Sequence, residues 1–264
     1  MRELTKRVTF RFYAELNDFI PPRRRRGFQT LVQSHQTVKD AVESFGVPHA
    51  EIDLILANGH AVSSAYRPEE GDRIAVYPVF ESFNIARVTR VRRKPLRHPR
   101  FILDVHLGKL ARNLRMAGFD SYYGTNLEDA EIIEISLKQK RIILTRDRNL
   151  LKNNRVTHGF WIRSQDPKRQ MKEVLKRLDL FEETKPFSRC LECNGLLRRV
   201  TKKTIQKKLL PDTRKYHRKF SQCGKCAKIY WQGSHYMKMK KFLFESVKKP
   251  ANRSDRAPGR RSGT

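Results

Sequence analysis

Twice within one stretch of this chain an apolar run ends in an aspartate, first as Phe101-Ile102-Leu103-Asp104 and again as Ile142-Ile143-Leu144-Thr145-Arg146-Asp147. Short apolar runs without alternation read as strands buried on both faces, the pattern of parallel sheets with helical crossovers. The spacing predicts an α/β unit. Both carboxylates then stand at carboxyl ends of strands, where open parallel sheets bind their ligands. Asp129, at the start of a helical segment between the two runs, adds a third acid, and Glu128 beside it is the alternative. Carboxylates without a matching set of histidines or thiols suit a hard cation such as magnesium or manganese, whose chemistry is usually done on phosphates. Singly, each acid has a plainer use. Asp104 and Asp147 suit helix caps, and Asp129 suits a first helical turn.

The intervening segments complete the alternation of strand and helix. Leu107, Leu110, Leu114 and Ala117 fall on one helical face, with Gly118 as the stop and Lys109, Arg112 and Arg115 on other parts of that helix. Asn126 is a cap for the next helix, with Ala130, Ile133 and Leu137 turned inward. Phe160-Trp161-Ile162 is a further strand, and Asp166-Pro167 opens a helix whose inner stripe is Met171, Val174, Leu175 and Leu178.

Ahead of this unit, Val8, Phe10 and Phe12 alternate as in a half-buried strand, with Arg23 to Arg26 as a solvated hairpin tip. Thr37 and Asp40 frame a capping box. Ile52 to Ala57 is a strand turning at Asn58-Gly59, and Arg73 to Val79 is another.

Behind it, Cys190-x-x-Cys193 and Cys223-x-x-Cys226 are two pairs at the spacing of one tetrahedral zinc site, closed by four thiolates and so structural. His217 and His235 are competing ligands that four cysteines make unnecessary. The chain carries 57 Lys and Arg against 27 Asp and Glu, and residues 186–264 hold 22 of the basic and 4 of the acidic residues. Such an excess attracts nucleic acid through counterion release. Tyr216, Phe220, Tyr230, Trp231 and Tyr236 lie among these cations, an arrangement suited to single-stranded RNA, although Phe220, Tyr230 and Trp231 equally suit a small core. No apolar run approaches the ~20 residues of a membrane span, and the first residues, MRELTKRVTF, lack the apolar core of a signal peptide. The expectation is a cytoplasmic protein with RNA, and no membrane, as its partner.

The series FILDVHLGKLARNLRMAGFD, then Asp129, RIILTRD and DPKRQ, resembles the PIN-like ribonuclease domains of the Mut-seven C-terminal RNase family. His106 and Asn113 depart from that pattern, at positions where an apolar and an aromatic residue are expected. The front segment, with TVKDAVESFGVPHAEIDLILANG and EEGDRIAVYPVF, resembles the ubiquitin-like sulfur-carrier group of β-grasp domains. Sulfur carriers need a free Gly-Gly carboxyl terminus, and here Val79-Phe80-Glu81-Ser82 continues into more chain. A docking module for a protein partner, or a structural appendage, is the reading left.

The expected division is a β-grasp domain over residues 1–83, a basic linker over 84–100 read from its cations and prolines, a PIN-like nuclease domain over 101–185 implied by the resemblance, a zinc ribbon over 186–245 and a disordered basic tail over 246–264 read from its composition. The resemblance further implies that Asp104, Asp129 and Asp147 bind magnesium or manganese at a phosphodiester of RNA. Lys109, Arg112 and Arg146 would then neutralise phosphates, while the ribbon and basic surface hold the RNA. The alternative is a non-catalytic RNA- or ribosome-binding protein in which the acids are inert.

Overall fold

A computed structural model describes residues 4–78, 91 and 99–247. Most of the expected linker and nearly all of the expected tail lie outside these residues.

The front unit runs β1 (Thr5–Phe12), β2 (Phe28–Gln33), α1 (Val38–Ser44), β3 (Ile52–Ala57), β4 (His60–Val62) and β5 (Arg73–Pro78). Its strands lie in the order β2-β1-β5-β3-β4, with β1 and β5 parallel and the other pairs antiparallel. This is a β-grasp sheet. Alternation in β1 buries Val8, Phe10 and Phe12 against Val38, Ala41 and Val42 of α1. Thr37 and Asp40 form the capping box that the sequence predicts.

The middle unit alternates β6 (Phe101–Leu103), α2 (Gly108–Ala117), β7 (Ser121–Tyr123), α3 (Asp129–Gln139), β8 (Ile142–Thr145), α4 (Arg148–Lys152), β9 (Gly159–Trp161) and α5 (Pro167–Arg177). All pairings in the order β7-β6-β8-β9 are parallel. β6 and β8 are central and fully buried, which is why both read as unbroken apolar runs. Gly118 ends α2 at φ +102°, where a Cβ would lie 2.3 Å from the Lys185 carbonyl oxygen, so only glycine fits.

The expected start and inner face of the helix after β7 are corrected. α3 starts at Asp129, capped by a box between Glu128 and Glu131 rather than by Asn126, and its inward face is Ile132, Ile133 and Ser136. With Leu127 packed under Gly124, the chain is still turning at 126. Leu137 is left 37% exposed. Arg115, off the apolar face of α2, is buried beneath the cysteine-bearing segment.

The last unit holds β10 (Leu197–Val200), α6 (Lys202–Ile205), α7 (Pro211–Tyr216), β11 (Phe220–Cys223), β12 (Ile229–Trp231) and α8 (Ser234–Val247). Its antiparallel sheet, ordered β10-β11-β12, brings the two cysteine pairs together. Leu191 and Leu243 join the same core cluster as Leu110, Leu114 and Leu175, so this unit packs on the parallel sheet's helices.

The β-grasp unit also shares a core with the parallel sheet. Ala50 packs among Ile102, Ile143, Leu150, Leu151 and Val156. Beside it Glu51, fully buried, accepts the Trp161 amide at 2.6 Å, and its other oxygen lies 3.5 Å from Arg163. Burial pushes the Glu51 carboxyl up, against the opposing charges of Arg163 and Arg177. Arg163 also pairs with Asp18 at 2.7 Å and with Glu173 at 3.5 Å, and its guanidinium lies over Trp161. No helix among the described residues is long and apolar enough to cross a membrane.

Candidate active site and metal centre

The parallel register of β6 and β8 sets Leu103 opposite Leu144, so both chains leave the sheet on the same edge. Asp104 follows at once, 8% exposed, with its amide on the Leu144 carbonyl at 3.1 Å. Its carboxylate caps nothing: no side-chain bond closes the short 3-10 turn behind it. Instead the fully buried Thr145 hydroxyl donates to Asp104 Oδ2 at 2.7 Å, and Thr145 Oγ1 itself accepts the Asp147 amide at 2.9 Å. Thr145 thus ties the Asp104 carboxylate to the backbone that carries Asp147. In the sequence this threonine is only part of the terminal Thr-Arg-Asp. The signal was a hydroxyl in an otherwise aliphatic strand, two residues before an acid.

Asp147 does act as a cap, with Oδ1 accepting the Asn149 amide at 2.8 Å. Asp129 stands exposed at the first position of α3. Desolvation, then the charges of Asp147, Asp104 and Glu128, raise its carboxyl above the usual range. The three acids therefore share one electrostatic field. Their oxygens nonetheless do not all lie within 4.8 Å of one another, a convergence reached among the described residues by the four cysteines.

The loop carrying Asp104 is pinned from β7. Tyr123 donates to the Val105 carbonyl at 2.9 Å, and a Cβ at Gly108 would meet that tyrosine oxygen at 2.8 Å. His106, largely exposed, brings Nδ1 to 3.4 Å from Asp104 Oδ1. Lys109 and Arg146 are exposed near these acids in sequence, in the first turn of α2 and one residue before Asp147. Arg112 lies further along α2, where its charge helps hold Glu192 of the cysteine-bearing unit below the usual carboxylate range, after the stronger bond from Lys228. Asp166 caps α5 through the Arg169 amide. On the far side of Asp147, Arg148 stacks its guanidinium 4.0 Å over Trp161 and 5.2 Å from Phe19 of the β-grasp unit.

The metal centre is built from two tight turns. Cys190 Sγ lies 3.6 Å from Cys226 Sγ, and Cys193 Sγ lies 3.4 Å from Cys223 Sγ. Thiolates around tetrahedral zinc stand roughly 3.8 Å apart at Zn–S bonds of about 2.3 Å, so the donor set fits that ion. Burial opposes ionisation of Cys190, but the Cys193 amide and the Tyr230 hydroxyl outweigh it and bring the thiol down to about 6. Burial pushes Cys193 up to about 12, with its neighbouring sulfurs adding to the shift. Four sulfurs this close cannot all ionise without a cation among them.

This centre is wired to the parallel sheet's other edge. Arg115 donates to the carbonyls of Ser121, Leu191 and Glu192 at 2.9, 3.1 and 2.7 Å. Asp120 accepts from Arg141 at 2.6 Å and from Asn194 at 2.8 Å.

The described residues thus combine a β-grasp sheet, a parallel α/β sheet with acids at its strand ends and a four-cysteine centre. The model of the Mut7-C RNAse domain matches residues 99–243, more than half of the chain, and that of the Mut7-C ubiquitin matches residues 5–84. The chain belongs to the Mut7-C RNAse family, with a ubiquitin-like domain in front. Two crystal structures of small archaeal modifier protein 1 from Haloferax volcanii are similar to part of it. One is 19% identical over 28% of this chain and 99% of that one, the other 20% over 29% and 99%, each with a TM-score of 0.24. No curated protein matches the chain.

Proposed function

We propose that this protein is a divalent-metal-dependent ribonuclease that hydrolyses RNA phosphodiester bonds at Asp104, Asp129 and Asp147. The observation that carries this reading is the Thr145 hydroxyl, which binds the buried Asp104 carboxylate and the backbone amide of Asp147, so that two acids leave the same sheet edge and share one electrostatic field with Asp129. Acids sharing one field repel one another, most strongly at the buried Asp104, and a cation relieves that cost. The donors are hard oxygens, as magnesium or manganese prefers, and such ions commonly keep waters and substrate oxygens alongside one or two carboxylates. A donor set looser than 4.8 Å suits that habit.

A divalent cation held there supplies Lewis acidity to the phosphodiester and an acidified water. The chain's own residues do the rest. Asp104, oriented by Thr145, and Asp147, oriented by its cap, would hold the cation together with Asp129 from α3. Lys109 and Arg146 neutralise scissile and flanking phosphates, with Arg112 extending the cationic path toward the ribbon. Zinc at the four cysteines is structural, and the ribbon with its basic surface holds the RNA.

The runner-up, a non-catalytic RNA- or ribosome-binding protein, takes its support from that same spacing of the acids. The test is cleavage of RNA by purified protein with manganese. Wild type cuts, and Asp104→Asn with Asp147→Asn stops cutting while RNA binding persists. Equal cutting by the double variant assigns the activity elsewhere. Binding without cutting by wild type leaves the runner-up.

A further inference from the structure

Between the ribbon sheet and α8 lies a cavity of about 680 Å³ that the proposed chemistry does not use. Its floor is apolar, with Leu191, Leu197, Phe220 and Leu243. Arg189, Arg199, Arg218, Lys219 and Lys240 line it, and no acidic residue does. Flat rings stand at its sides. Trp231 is 39% and Phe244 70% exposed, and Tyr236 lies 4.5 Å from Phe187, ring to ring. A protein burying an apolar helix there would bring no charge to answer Arg199, Arg218, Lys219 and Lys240, Arg189 being already paired with Asp120. The chain's own last residues, Lys248 to Thr264, are themselves basic and would be repelled. A polyanion with flat apolar faces answers both features: phosphates meet the cations while bases enter and stack. Paired bases are already stacked on one another and present only edges and backbone, so the occupant must be unpaired.

We infer that this groove is a binding site for unpaired RNA, holding bases against Trp231, Tyr236 and Phe244, and that it anchors the substrate at a distance from the acids. The inference deepens the ribonuclease reading and rests on it for the choice of RNA. The distance follows from the fold. Phe187 at the groove bonds to the Met116 carbonyl near the end of α2, whereas Asp104 lies before that helix begins. Ten residues of α-helix span about 15 Å. α8 bridges part of that gap, since Glu245 near its end pairs with Lys168 at the start of α5. Cleavage therefore falls several nucleotides from the anchored bases. A long unpaired strand uses both sites, and a trinucleotide only the acids.

The test uses the full chain, with and without Trp231→Ala plus Phe244→Ala, both exposed positions outside the acid site. Zinc content and Tm confirm that the variant is folded. Fluorescence anisotropy without added magnesium or manganese measures affinity for a long oligoadenylate, a blunt RNA duplex and polyglutamate. The expected result is that wild type binds the oligoadenylate about tenfold or more tighter than the folded variant does. Duplex and polyglutamate show no such dependence on the two rings. In cleavage with manganese, KM for the long strand rises with kcat kept, and trinucleotide cutting is unchanged. Equal oligoadenylate affinity in the folded variant overturns the inference, as does the same ring dependence for duplex or for polyglutamate. Should the variant not fold, single Phe244→Ala and Arg218→Ala variants carry the same comparison, with weakened oligoadenylate binding expected and unchanged binding overturning it. Absence of cutting by wild type sinks the catalytic reading, and the binding comparison still decides the groove.

Discussion

Thr145→Val tests whether the strand-end acids are held for a purpose. The substitution keeps the branched shape in a fully buried position and removes a single oxygen that makes two hydrogen bonds. The bond donated to an ionised carboxylate is worth about 1.5–3 kcal/mol. The one accepted from the Asp147 amide is worth about 0.5–1.5 kcal/mol, less because that exposed residue can turn to water. The variant should lose about 2–4 kcal/mol in urea unfolding, with a fall in Tm of roughly 5–15 °C. The catalytic loss should exceed what unfolding accounts for. With Asp104 free to rotate, kcat for RNA should drop on the order of 10²-fold at a temperature where the protein is still folded, since small misplacements of reacting groups cost that much. Thr145→Ser restores the hydroxyl and should recover most of kcat even if some stability stays lost. A folded Thr145→Val protein that cuts at the wild-type rate would falsify the idea that this link positions the acids.

Other perturbations read different parts of the molecule. Asp129→Asn should stabilise the metal-free protein at neutral pH, by less than about 1 kcal/mol because the group is exposed and screened. Its folded pKa lies above 3.8, so the folded state holds the proton more readily and loses stability as pH rises through that window. Thermal melts at pH 7 should show the gain, and one at pH 3, where the acid is protonated in both states, should not. Arg163→Ala leaves buried Glu51 without its nearest cation and should cost about 3–5 kcal/mol, part of which Arg163→Ala with Glu51→Gln restores in a double-mutant cycle. Full additivity in that cycle would deny the coupling. Cys190→Ser, or chelation of zinc, should lower protection of the Phe101–Leu103 strand in hydrogen exchange as well as that of the ribbon. Arg115 and Asp120 tie the two together. Protection loss confined to residues beyond 190 would contradict that wiring.

Local pattern carried much of this architecture. The apolar runs before Asp104 and Asp147, the Thr37 box, the Asp166-Pro167 helix start and the paired cysteines are all short-range signals, and short-range physics decides them. The boundary of α3 was harder, because Asn126 and Glu128 are both credible caps and only the packing of Leu127 and the box with Glu131 choose between them. What the sequence hid is long-range. Arg115 looks like a surface cation until the Leu191 and Glu192 carbonyls close over it. Glu51 looks like an ordinary helical acid until Trp161, 110 residues away, bonds to it. Thr145 reads as a β-branched strand residue, and its role appears once parallel pairing sets β8 beside β6. The β-grasp unit likewise looked detachable, whereas Ala50 completes the nuclease core and Phe19 braces the arginine next to Asp147.

Manganese offers the most direct examination of the acid site, because its anomalous scattering marks its position. Crystals soaked in manganese should show a peak bonded to Asp104 and Asp147, with Asp129 coordinating directly or through water, and the peak should vanish in Asp104→Asn crystals. Crystals that bind manganese elsewhere and leave these carboxylates bare at neutral pH would contradict the account.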